Sequence, residues 1–353
     1  MTRFSELDTP AVLIDIDRVE ANLQRVQAYA DSHGIKLRPH IKTHKLPRFA
    51  RRAMELGAVG ITVQKLGEAE VMADAGISEI FLPYNILGDA KLARLRALSE
   101  RIHITVTADS AETVAGLSLT FADAIGPLTV LVECDTGMGR CGVQSPADAV
   151  TLAQMIAASP GLEFGGLMTY PAAGHVETNA AWLAAAREAL IAAGLPPAII
   201  SNGGTPDLWR AHEVTVATEH RPGTYIYLDR FQVSKGVGGF EDCALTVLAT
   251  VVSRPTENRA IIDAGSKALT SDTLGLNGFG LIEAYPGAEI IGLSEEHGTI
   301  DLSNCANKPA IGEQLRIIPN HACVVSNLFD TVTLISGDNV VETVRVDARG
   351  RVG

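Results

Sequence analysis

No stretch of this chain approaches the roughly 20 consecutive apolar residues that a membrane-spanning helix needs, so no span is expected. The opening Met1-Thr2-Arg3-Phe4-Ser5-Glu6-Leu7-Asp8 lacks the apolar core of a secretory signal, which makes the cytoplasm the expected compartment. Cysteine is sparse and odd in number: Cys134, Cys141, Cys243, Cys305 and Cys323, none in a short paired spacing. A disulfide framework is therefore not expected, and each thiol is either a buried apolar residue or a ligand. Positive charge is short as well, with 29 Lys and Arg against 41 Asp and Glu and a formal net charge of −12. A nucleic acid or an anionic membrane needs a basic face to displace counterions, so neither is an expected partner, and an acidic soluble enzyme fits better. There is no internal repeat and no low-complexity tract.

What is present is a 46% hydrophobic composition over 353 residues, enough for two domains or for one barrel with an added module. Strand-like and helix-like patterns alternate from about residue 20 to residue 230. Strand-like runs fall at residues 34–37, 60–63, 79–82, 102–106, 128–133, 164–168, 198–200 and 224–227, separated by Ala- and Leu-rich segments such as 180–193. Eight such units predict a closed parallel (β/α)8 barrel of the TIM type, because helices then cover every outer face. From about Gly236 the texture changes to short β-type runs at 245–252, 260–262, 314–318, 332–334 and 339–346, punctuated by Gly, Pro and Asn. This predicts a second, mainly antiparallel β domain. The run 11–16 suits either domain by pattern; the barrel is set at 20–235, and residues 1–19 are grouped with 236–353.

Leu37-Arg38-Pro39-His40-Ile41-Lys42-Thr43-His44-Lys45 ends the first strand, since Pro39 cannot donate to a sheet. Lys42 then lies just past the C-terminal edge of a barrel strand, where such folds gather their active sites. A lysine there can hold an aldehyde once desolvation or neighbouring cations lower its pKa, and Arg38, His40, His44 and Lys45 crowd it with potential positive charge. The competing reading is a solvated basic loop.

Ser201-Asn202-Gly203-Gly204-Thr205-Pro206 follows the seventh strand, and Arg221-Pro222-Gly223-Thr224-Tyr225 lies at the eighth. Backbone N–H groups free of side-chain bulk make anion-binding concavities, and barrels frequently hold a phosphate in the loops after strands 7 and 8. An amine from strand 1 and a phosphate cradle from strands 7 and 8 together suggest pyridoxal 5'-phosphate. In the β domain, Pro319-Asn320-His321-Ala322-Cys323 offers His321 and Cys323 as a ligand pair. On an extended segment residues i and i+2 share a side, and imidazole plus thiolate is a zinc-type set, with other divalent metals open. Two protein ligands leave coordination positions for substrate. Gly67-Glu68-Ala69-Glu70 reads as an N-terminal helix turn, and Trp209 as a packing residue.

These stretches, with Asp8-Thr9-Pro10-Ala11, Asp15, Gln64-Lys65, Asp135-Thr136-Gly137-Met138-Gly139-Arg140-Cys141-Gly142-Val143 and Asp263-Ala264-Gly265, occur in an order that resembles the D-threonine aldolase and D-serine dehydratase family, fold type III pyridoxal phosphate enzymes related to alanine racemase. The resemblance runs from about residue 8 to the C-terminus. It implies an alanine racemase-like barrel, a β domain carrying a divalent metal (Zn, Mn or Mg), a β-hydroxy-D-amino acid substrate and a homodimer. Lys42 looks like the Schiff-base lysine. Gly203, Gly204, Thr205, Gly223 and Thr224 match the phosphate positions, Arg140 the arginine near the phenolic oxygen, and Arg221 the position facing the pyridine nitrogen. Gln64, Tyr170, Ser201 and Tyr225 complete the implied cofactor contacts. His321 and Cys323 resemble the metal ligands, and His175 lies near the family's catalytic loop after strand 6.

The resemblance implies a lyase that cleaves β-hydroxy-D-amino acids to glycine and an aldehyde. The alternative is a D-serine or 3-hydroxyaspartate dehydratase, releasing a 2-oxo acid and ammonia; His-x-Cys resembles that branch. A racemase would need a second acid/base residue, commonly a tyrosine from the β domain, and no tyrosine follows Tyr285. A cofactor-homeostasis regulator would lack the β domain altogether.

Overall fold

The computed structural model describes residues 2–353. The chain divides into two units. One holds Val26–Lys42, Leu46–Gly223 and Arg351–Gly353; the other holds the residues up to Arg25, Thr43–Lys45 and Thr224–Gly350.

In the first unit eight parallel strands follow one another: Lys36–Leu37, Ile61–Thr62, Glu79–Leu82, His103–Ala108, Leu128–Glu133, Leu162–Met168, Ile199–Asn202 and Glu219–His220. The last pairs with the first, with Lys36 opposite Glu219 and Leu37 opposite His220. The remaining gap, between the first and second strands, is closed by Val59 N–H donating to Leu37 O and Thr62 N–H to Pro39 O, both at 2.8 Å. The barrel expected from the alternation is therefore present and closed. Leu128–Glu133 is buried at all six positions, as a parallel strand covered on both faces must be. Helix Pro146–Ala158 shows how the outer layer is specified: Ser145 caps it by accepting from Asp148 N–H, Pro146 pre-sets its first turn, and Ala149, Leu152, Ala153 and Ile156 form its buried stripe.

The eighth strand is not where the apolar pattern placed it. Residues 224–227 include a 3₁₀ turn, Thr224–Ile226, and the strand is Glu219–His220. Its side chains are charged or polar yet buried, so hydrophobic periodicity does not reveal it.

The second unit is built on a nine-stranded sheet. The twelve-residue strand Leu245–Thr256 pairs antiparallel with Ala11–Asp15, Arg259–Ile262 and Gln314–Ile318. The pair Ala11–Asp15 with Thr331–Ser336 is parallel, and Asn339–Arg345 closes that edge antiparallel. The run near residue 11 thus belongs to this sheet, where Leu13 packs with Leu248 and Ile335. Leu281–Ile282, Glu289–Leu293 and Gly298–Asp301 are strands that the sequence reading did not identify. Among the described residues no helix is long and apolar enough to cross a membrane.

Candidate active site

Lys42 follows the first barrel strand inside the 3₁₀ turn Ile41–Thr43. The surrounding run is buried: Leu37, His40, Ile41, Thr43, His44 and Lys45 are each at most 8% exposed, which removes the reading as a solvated loop. The expected crowd of positive charge is also thinner than the sequence suggests. Arg38 Nε donates to Glu219 Oε2 at 2.9 Å, so its charge is paired inside the barrel. Lys42 N–H donates to His40 Nδ1 at 3.3 Å, which leaves the His40 proton on Nε2, donating to Gln64 Oε1 at 3.1 Å. His40 thus couples the backbone of Lys42 to Gln64. Beyond Gln64, Glu68 accepts from the N–H groups of Gln64 and Lys65, the acid-capped helix start expected there.

Tyr170 brings the strand ends together. Lys42 Nζ lies 5.9 Å and Arg140 Cζ 5.2 Å from its ring centroid. Arg140 is carried by a loop that Asp135 holds, its Oδ1 accepting from Gly137 N–H at 2.9 Å and Gly139 N–H at 3.1 Å. The loop after the seventh strand comes against the same tyrosine, since a Cβ on Gly204 would sit 2.7 Å from the ring. Thr205 Oγ1 accepts from Gly223 N–H at 3.0 Å, so the loops after strands 7 and 8 form one cradle. Within it no described group accepts from the backbone N–H of Gly203, Gly204 or Thr205. A phosphate fits that set of donors.

Arg221 is fully buried. It donates to Ser201 Oγ and to the Thr169 carbonyl, each at 2.7 Å. Ser201 in turn donates to Glu219, which makes Arg38, Glu219, Ser201 and Arg221 one chain of bonds. Burial pulls the guanidinium down to about 10, against the pull of Glu219 and Glu133, and it stays a cation at neutral pH. Such a group facing a pyridine nitrogen leaves that nitrogen unprotonated.

One site residue escaped the sequence reading. Glu133 ends the apolar strand Leu128–Glu133 immediately before the Asp135 loop, at 6% exposure. Burial first, and Asp109 second, push its carboxyl up to about 7 against Arg140 and Arg221. The signal was available: an acid closing an apolar run at the C-terminal edge of a barrel strand.

In the β unit, His321 and Cys323 do not lie on an extended segment as expected. His321 is the N-cap of helix Ala322–Leu328, and Cys323 is in its first turn. Asp229, itself buried, accepts from Ala322 N–H at 2.9 Å, and this bond starts the helix where the sequence suggested strand. His321 Nδ1 donates to Asp272 Oδ2 at 2.8 Å, which leaves Nε2 for another partner. Burial lowers the His321 pKa, but Cys323, Asp272 and Asp229 outweigh it and lift it to about 9. Cys323 Sγ also meets Thr43 Oγ1 at 3.1 Å and Thr224 Oγ1 at 3.4 Å, so Thr224, read as a phosphate contact, has its hydroxyl at the thiol. One imidazole and one thiol in mutual contact are a donor set that suits a divalent cation. Among the described residues no group of three or more His, Cys, Asp or Glu is placed to hold one.

The remaining predicted residues are less engaged. Tyr225 is buried, which raises its phenol pKa. His175 is exposed at the N-cap of helix Val176–Ala192, without a side-chain capping bond. Trp209 packs edge-on against Tyr29 with centroids 5.2 Å apart, the packing role expected of it.

Comparison with known proteins agrees with this fold. A family model described as the N-terminal domain of alanine racemase matches residues 14–230, and a serine dehydratase-type domain model matches residues 244–335. The chain is 36% identical to a D-threonine aldolase of Arthrobacter sp., over 98% of this chain and 94% of that one. It is 31% identical to the D-threo-3-hydroxyaspartate dehydratase of Delftia sp. (strain HT23), over 96% of each. The crystal structure of D-threonine aldolase from Filomicrobium marinum matches with a TM-score of 0.93 at 33% identity, covering 99% of this chain and 97% of that one. The barrel and the family-model match over residues 14–230 place the protein in the alanine racemase-like class of pyridoxal phosphate-dependent enzymes. Within that class it belongs to the lyase family that contains D-threonine aldolase and D-threo-3-hydroxyaspartate dehydratase.

Proposed function

We propose that this protein is a pyridoxal phosphate- and divalent metal-dependent aldolase that cleaves β-hydroxy-D-amino acids to glycine and an aldehyde. The observation that carries the reading is the convergence of Lys42 and Arg140 on Tyr170, beside a loop whose N–H groups are unspent. When bound, pyridoxal phosphate supplies an electron sink for charge developing at the substrate Cα, and the cation a Lewis acid for a hydroxyl oxygen.

The chain's own residues do the rest. Lys42 would be the amine that holds the cofactor's aldehyde end, and its backbone is held by the Lys42 N–H to His40 bond. Gly203, Gly204 and Thr205 would hold the phosphate through backbone N–H groups, with Gly223 N–H bracing Thr205 from the neighbouring loop, and Arg140 would serve the phenolic oxygen. Arg221 would face the pyridine nitrogen with a fixed positive charge, as the resemblance implies. That weakens the electron sink, and help at the β-hydroxyl matters more as a result. His321 and Cys323 hold the cation, with Asp272 orienting the imidazole. His175 is assigned as the base that takes the hydroxyl proton. The homodimer and the cytoplasmic location follow the family resemblance and the sequence reading.

Cysteine at the second ligand position favours the dehydratase as the second reading, and one experiment decides between them. Enzyme supplied with pyridoxal phosphate and Zn²⁺ or Mn²⁺ is incubated with D-threonine, D-phenylserine, D-serine and the 3-hydroxyaspartates. Glycine with aldehyde is the expected result. A 2-oxo acid with ammonia replaces the aldolase by the dehydratase, and neither product removes both.

A further inference from the structure

Behind the Gly203-Gly204-Thr205 loop lies a histidine to which the proposed chemistry assigns no role. His220 ends the eighth strand at 3% exposure, and its Nε2–H donates to the Gly204 carbonyl at 3.0 Å. The loop rests directly on the ring. Gly203 has φ +88°, and a Cβ built there would fall 2.0 Å from His220 Cε1 and 2.2 Å from Nδ1, so only glycine lets the backbone lie this close. The far side of the ring opens on a cavity of about 20 Å³ that Asn179, Asn202, Gly203 and Gly204 also line. Two buried polar atoms on those walls, His220 Nδ1 and Asn179 Oδ1, have no partner in the protein. With its proton on Nε2, the imidazole presents Nδ1 as an acceptor, so both atoms are acceptors, and the cavity has room for about one water able to donate to both. Burial, with the Arg221 charge adding to it, holds the imidazole down to about 4 and therefore uncharged.

We propose that His220 is a positioning residue for the phosphate-binding loop: its Nε2–H takes the Gly204 carbonyl and turns the loop's N–H groups to the anion. The carbonyl of a two-glycine turn is free to flip, and a flip would aim an oxygen at the phosphate. The imidazole removes that alternative by binding the carbonyl from behind, and the Gly223 N–H to Thr205 Oγ1 bond anchors the other end of the loop. As a neutral donor, His220 adds no charge of its own, so its contribution is to loop shape and is specific to the phosphate end of the ligand.

This inference rests on the pyridoxal phosphate reading, and the test separates the two. Equilibrium affinities for pyridoxal 5'-phosphate and for pyridoxal, which lacks the phosphate, are measured by fluorescence on the wild-type chain and on the H220Q and H220M variants. H220M is expected to weaken pyridoxal phosphate binding about tenfold and to leave pyridoxal within about twofold. H220Q keeps an N–H donor near the same place and is expected to restore most of the loss. Equal losses for both ligands, no loss for either, or no rescue by glutamine overturns the proposal. A wild type that binds neither ligand overturns the cofactor reading instead. Should H220M fail to fold, spectra of ¹⁵N-histidine-labelled wild type, assigned with H220Q, decide. A ring that carries its proton on Nε2 without titrating between about pH 5.5 and 8 supports the proposal, and a proton on Nδ1 or a pKa near that of free histidine overturns it.

Discussion

Around Lys42 the hydrogen bonds are already assigned, and that sets what each substitution should do. Lys42 Nζ lies 5.9 Å from the Tyr170 ring centroid, and the Lys42 N–H to His40 bond and the buried turn around it do not depend on the ammonium. Lys42→Ala should therefore leave the fold in place and remove covalent capture of the cofactor. The visible absorbance of bound pyridoxal phosphate should revert to that of the free aldehyde, and turnover should fall by on the order of 10³-fold or more. A variant that keeps the wild-type absorbance band and turnover would remove Lys42 from its role. Asp272 makes a separate case. Its bond to His321 Nδ1 fixes which imidazole nitrogen is left for a cation, and loss of such a partner typically costs about 10- to 100-fold in metal affinity. Asp272→Ala should weaken Zn²⁺ binding by that much in a competition titration while pyridoxal phosphate affinity is unchanged. Unaltered Zn²⁺ affinity would show that the ring needs no orienting carboxylate.

Elements were legible where burial is apolar and periodic. Leu128–Glu133 and Gln314–Ile318 appear with the expected bounds, the first because its aliphatic run is buried throughout, the second because Leu315 and Ile317 alternate with Gln314 and Arg316 along a strand. Glu219–His220 was not legible, since a strand of one acid and one histidine has no hydrophobic pattern and is stabilised by partners far along the chain, Arg38 and Ser201 for Glu219 and Gly204 for His220. Glu289–Leu293 and Gly298–Asp301 were missed because each includes a glycine and has a partly exposed face. The His321 segment shows a tertiary contact overriding local pattern. Asp229 accepts from Gln232 N–H and from Ala322 N–H, both at 2.9 Å, and so caps helices Arg230–Ser234 and Ala322–Leu328 with one carboxylate. Asp229→Ala leaves two helix starts uncapped at a site 1% exposed, a loss of about 2–4 kcal/mol at roughly 1–2 kcal/mol for each cap. Urea unfolding should show that loss, and Asp229→Asn, which keeps an accepting oxygen, should recover part of it. Equal stability of Asp229→Ala and wild type would mean that the helix starts by its own propensity.

At the scale of the whole molecule, 41 Asp and Glu against 29 Lys and Arg put acids in the majority, and stability depends on pH through the few of them that are buried. Glu133 is the one whose sign is simplest to isolate. Its carboxyl is held at about 7 in the folded barrel against an ordinary value of 4.5, with burial the main cause. A group raised in this way favours the folded state fully below its unfolded pKa, and the advantage is lost as pH rises through the folded value, because the folded chain must then carry a charge it disfavours. For Glu133 the window runs from about pH 4.5 to about 7, and the cost of ionisation at its upper end is about 3 kcal/mol. Glu133→Gln keeps the shape and removes the titration. Measured by thermal and urea unfolding of the cofactor-free protein, the glutamine variant should match wild type near pH 4.5 and exceed it progressively up to about pH 8. A difference that is constant across this range would place the proton elsewhere, and a variant less stable than wild type at pH 8 would show that Arg140 and Arg221 stabilise the Glu133 carboxylate by more than its burial costs.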